Sequence, residues 1–141
     1  MIACAIAHRT LAIGRELGAP RDVHYSLHYL GDCALYRGDG KAAASWYDLS
    51  IAAALAYGNV AEAAVEMEGF AMALAACDQP LESLRLAAAA RSREDAYGFD
   101  GSGVEFWARF RERYLGVLAR PSDRPPKASR PLEGRWAGRP R

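Results

Sequence analysis

Residues 27–39 read Leu27-His-Tyr-Leu-Gly-Asp-Cys-Ala-Leu-Tyr-Arg-Gly-Asp39, and this stretch decides the fold class. Leu27, Leu30, Gly31 and Ala34 recur at helical spacing and form one stripe. Tyr25, His28, Tyr29, Asp32 and Tyr36 stand at i, i+3, i+4, i+7 and i+11 and form a neighbouring one. Gly38 then stops the helix, because glycine takes a positive φ without a Cβ penalty and closes the last turn. Asp39 is a good N-cap for the helix that follows. A connection this short makes the two helices antiparallel neighbours.

The pattern repeats outward from there. Leu17-Gly18, Tyr57-Gly58 and Tyr97-Gly98 recur every 40 residues, each after an apolar periodic segment. The same shift pairs Leu27 with Met67, Leu30 with Phe70 and Ala34 with Leu74. The spacing predicts a first helix from Ile2 to Leu17 and a second from Pro20 or Asp22 to Gly38. A third runs from Asp39 to Gly58. A fourth starts at Asn59, with Glu62 completing a capping box. A fifth starts near Asp78, with Pro80 in its first turn. After the loop at 98–103, Ser102 and Glu105 form a second capping-box candidate, opening a sixth helix to Ala119. Its stripe of Phe106, Phe110, Tyr114 and Leu118, with Trp107 beside it, reads as a C-terminal cap on a stack of helix pairs. The first helix aligns with the second member of a pair, which suggests a start in mid-repeat or a truncation.

No stretch alternates with period two, and half of the residues are apolar, alanine foremost, so the expected fold is all-α. Two parts are expected: a helical repeat domain over residues 1–119 and a basic, Pro- and Arg-rich, disordered tail over 120–141. The first carries 11 Lys/Arg against 15 Asp/Glu, the second 7 against 2. Cys4, Cys33 and Cys77 are odd in number and form no CxxC pair, so buried free thiols in a cytoplasmic setting are expected. No apolar run approaches the ~20 residues a membrane span needs.

The segment from Leu27 to Leu55 resembles a tetratricopeptide-type repeat, through Leu30-Gly31, Ala34, Gly38-Asp39, Ala43, Tyr47 and Ser50. The repeats are degenerate: the period is longer than the family's, and the second unit has Ala71 for the Gly and Ser83 for the Ala. The stretch 27–39, and Glu68 to Pro80 with it, is similar to the repeat arm of large bacterial regulators that also carry a nucleotide-binding domain and often a LuxR-type DNA-binding module. Neither of those is visible in this chain. The resemblance implies a right-handed solenoid in which Gly31 and Ala43 allow close helix approach and Tyr47 fills the gap between pairs. It also implies that the first helix of each pair lines a concave groove that takes a protein or peptide.

The candidate partner-binding residues are therefore Tyr25, His28, Tyr29, Asp32 and Tyr36, with Glu68 and Met72 on the equivalent face one repeat on. The bland alternative for the tyrosines is packing on the preceding helix. His24 and His28 have a spacing that can hold a metal, but Tyr25 stands where a zinc protease has Glu, and no third ligand is evident nearby. Surface or groove histidines and no metal are the expectation. Glu62 and Glu66, four apart, read as a solvated face. No nucleophile and base share an exposed turn, so catalysis and cofactors are not expected. The reading is a protein-interaction scaffold, not an enzyme, from a bacterial signalling or transcriptional regulator. Self-association through a naked repeat end is a further expectation. The alternative is an all-α nucleic-acid-associated protein using its basic tail.

Overall fold

A computed structural model describes residues 2–98 and 105–116. It contains α1 (Ile2–Glu16), α2 (Pro20–Tyr36), α3 (Gly40–Ala56), α4 (Val60–Ala76), α5 (Pro80–Tyr97), α6 (Glu105–Phe110) and a π-helical turn, Arg111–Gly116. The fold is all-α, with no strand among the described residues. The expected tail and the Ser102 cap lie outside the described residues.

A helix starts every 20 residues from Pro20 to Pro80, so the 40-residue repeat is a pair of near-equal helices. Each turn has one residue at positive φ: Gly18, Gly38, Gly58, Asp78 and Gly98. Asp78 takes this backbone at φ 57° without being glycine, which the short polar side chain of Asp tolerates. Asp39 caps α3 by accepting from Ala42 N–H at 3.0 Å, and Asn59 caps α4 by accepting from Glu62 N–H at 3.1 Å. The Glu62 side chain does not close the capping box. It reaches α2 instead, where Tyr25 Oη donates to Glu62 Oε1 at 3.0 Å.

Successive helices pack as antiparallel neighbours, and α2 also touches α4 across the stack. Tyr47 of α3 fills that crossing and is fully buried. Gly31 of α2 and Gly69 of α4 both lie against its ring, and a Cβ at Gly31 would sit 2.8 Å from Tyr47 Cζ. One core cluster groups Ala34, Leu35, Ala43, Tyr47, Met72 and Ala73 with Trp107 and Phe110. A second groups Ala7, Leu11, Leu27 and Leu30, and Trp46 packs against both.

Two expectations are corrected here. Cys4 and Cys33 are not free thiols: they pair as a disulfide that ties α1 to α2, with Cα atoms 6.1 Å apart. Antiparallel pairing of adjacent helices brings together residues 29 apart in sequence, which spacing alone does not reveal. Cys77 is the free cysteine. The segment from α6 through the π turn is also not a cap stacked like a further repeat. It folds against α2 and α4. Trp107 stacks on His28 at 5.4 Å, and Tyr114 Oη donates to Leu35 C=O at 2.8 Å. Arg111 Nε donates to both carboxylate oxygens of Glu68 at 2.8 Å. Its buried face is Trp107 and Phe110, while Phe106 is 44% exposed. Leu118 lies outside the described residues.

Candidate functional site

The stripe on α2 divides between two environments. Tyr25, Tyr29, Asp32 and Tyr36 line a cavity of about 800 Å³ between α1 and α2, whose wall also includes Ile6 and Phe106. Tyr29 and Tyr36 are 56% and 59% exposed. Apolar bodies with polar tips, held on a rigid helix and left uncovered, suit a recognition surface.

His28, Glu68 and Met72 do not line that cavity. Glu68 and Met72 are buried, since the α6 segment covers them: Arg111 takes the Glu68 carboxylate, and Met72 joins the Trp107 and Phe110 cluster. Their face of the stack is occupied by the chain itself.

Beneath the stripe lies a buried polar network that joins α2, α3 and α4. Glu66 Oε1 accepts from His24 Nε2 at 3.0 Å and from His28 Nδ1 at 2.9 Å. The other nitrogen of His28 faces Asp32 Oδ2 at 3.3 Å. Tyr47 Oη donates to Asp32 Oδ1 at 2.7 Å, and His24 Nδ1 meets Tyr57 Oη at 3.0 Å. The expectations of surface histidines and a solvated Glu62–Glu66 face are corrected for His24 and Glu66, at 0% and 1% exposed. The cause is helix stacking: the α4 face carrying Glu66 packs onto the α2 face carrying His24. A charge this deep persists only when paired.

The pairing sets the protonation states. Burial opposes charge on His28, but hydrogen bonds to Asp32 and Glu66 and their negative charges outweigh it and push its pKa up to about 10. Burial likewise opposes charge on Glu66, and hydrogen bonds from His24 and His28 outweigh it, holding the carboxyl below its usual range. Burial, with the Asp32 charge beside it, pushes the Tyr47 phenol well up. The network thus centres on a His28 imidazolium paired with the Glu66 carboxylate, with the neutral Tyr47 phenol beside them.

The architecture defines an all-α protein of consecutively stacked antiparallel helix pairs, with a tyrosine-lined groove and a buried His–Glu core. No protein-family model, curated protein or solved structure matches this chain. No helix among the described residues is long and apolar enough to cross a membrane.

Proposed function

We propose that the chain is a protein-interaction scaffold of the tetratricopeptide-like class, and that it takes a short apolar segment of a partner protein in the α1–α2 groove. The observation that carries this reading is the exposure of Tyr29 and Tyr36 along one continuous groove with Tyr25. Isolated exposed apolar side chains are ordinary, but an aligned set on a concave wall is the anatomy of a docking site. Ile6 of α1, 59% exposed, adds an aliphatic wall opposite the tyrosines. The origin in a signalling or transcriptional regulator rests on the resemblance of residues 27–39 and 68–80 alone.

The test is affinity capture from a bacterial lysate with the whole chain and with a Tyr29→Ala/Tyr36→Ala variant. Both side chains are largely exposed, so the helical circular dichroism signal is expected to survive the double substitution. Loss of a captured protein with helicity intact supports the groove. Equal capture by both forms removes the groove from the function.

A further inference from the structure

We propose that His24, Glu62 and Glu66 form a binding site for one divalent first-row transition ion, bridging α2 and α4. One ligand atom from each of the three residues lies within 4.8 Å of the others. Donor atoms about 2.0–2.2 Å from a common Zn2+ stand roughly 3–3.6 Å from one another, so closing this set around an ion takes side-chain adjustments, not helix movement. His24 Nε2 and Glu66 Oε1 are already 3.0 Å apart.

An independent observation points to a cation at this place. Glu66 is 1% exposed, and its Oε2 is buried with no hydrogen-bond partner among the described residues. A buried carboxylate oxygen left unsatisfied keeps its desolvation penalty uncompensated. A cation beside it removes that cost.

The surroundings are those of a metal centre. Ligating side chains are typically oriented by second partners, and each of these three has one. His24 Nδ1 meets Tyr57 Oη, Tyr25 Oη donates to Glu62 Oε1, and His28 Nδ1 donates to Glu66 Oε1. His24 would hold the ion through the lone pair of Nε2, the nitrogen that now faces Glu66, with its Nδ1 hydrogen-bonded to Tyr57 Oη. One imidazole with two carboxylates favours Zn2+, Co2+ or Mn2+ over Mg2+, which prefers oxygen donors and water. Glu62 and Tyr25 are only partly buried, and Tyr25 also lines the groove, so this edge is the way in.

The test uses the full chain, stripped with a chelator and titrated with Co2+ and Zn2+. The expected result is one equivalent bound, visible Co2+ ligand-field bands without the near-ultraviolet band of thiolate ligation, and a Zn2+-dependent shift of the His24 ring proton signals while those of His8 stay in place. Glu62→Gln is expected to weaken affinity at least about tenfold, with unchanged helicity, and Mg2+ to leave the His24 signals unmoved. The proposal is overturned by absence of saturable binding up to about 1 mM ion (a Kd that corresponds to only about 4 kcal/mol), by thiolate bands, by shifts confined to His8, or by equal affinity in Glu62→Gln. Should Glu62→Gln lose helicity, the Co2+ spectrum and the His24 signals of the unsubstituted chain decide alone.

Discussion

Single residues carry opposite burdens at the α2–α4 crossing. Tyr47 is accepted there only because Gly31 and Gly69 have no Cβ. Gly31→Ala is expected to destabilise the chain by about 1–3 kcal/mol, the usual cost of overpacking, although alanine is the better helix former. Chemical denaturation checks this, and a neutral or stabilising result would show that Tyr47 relaxes freely. The crossing also titrates. The folded pKa of His28 is raised to about 10 from 6.5, so its pairing stabilises fully below the unfolded value and is lost as pH rises through the folded one. Stability of the metal-free chain should therefore fall between pH 6.5 and about 10, by at most about 1.4 kcal/mol per pH unit. Glu66, with a lowered pKa, contributes above its unfolded value, and this is lost as pH drops through the folded one. Urea midpoints across pH report both limbs, and His28→Gln should flatten the alkaline one.

At the scale of elements, the local signals were nearly complete. Pro20, Asp39, Asn59 and Pro80 each stand at a helix start, and positive-φ residues recur every 20 positions. These are short-range effects of caps and turns, which depend on neighbours a few residues away. The packing of the α6 segment was not legible for the opposite reason. Its apolar stripe says that it packs, not on what, and the choice of α2 and α4 follows from the Glu68 carboxylate and the His28 ring they present. Trp107→Ala, which removes the ring stacked on His28, is expected to cost about 3 kcal/mol or more and to release this segment. Hydrogen exchange should then rise in 105–116 and around Glu68 and Met72, while α1 to α3 stay protected. Uniform deprotection would mean that the segment and the stack form one cooperative unit.

Across the whole molecule, the Cys4–Cys33 bond ties the first helix to the stack. Closing a loop of that length is worth roughly 3.5 kcal/mol. Cys4→Ser is expected to lower the melting temperature in non-reducing buffer and to make the chain insensitive to dithiothreitol. Intact mass under non-reducing conditions checks the bond itself, and an unbridged mass would refute it. The groove lies against the same pair of helices, with Cys33 in its wall, so Cys4→Ser should also weaken whatever the Tyr29→Ala/Tyr36→Ala variant fails to capture.

By itself the sequence determined the helices, their order, their antiparallel pairing and the tyrosine stripe, because periodicity, capping and glycine turns act over a few residues. Only the tertiary structure decided the rest. The spacing of Glu62 and Glu66 is the same on a solvated face as in a buried pair, and His24 meets Glu66 across 42 residues only because α2 and α4 stack with Tyr47 between them. Burial, and with it protonation, pairing and the unsatisfied Glu66 oxygen, is a property of the packed helices and not of any one of them.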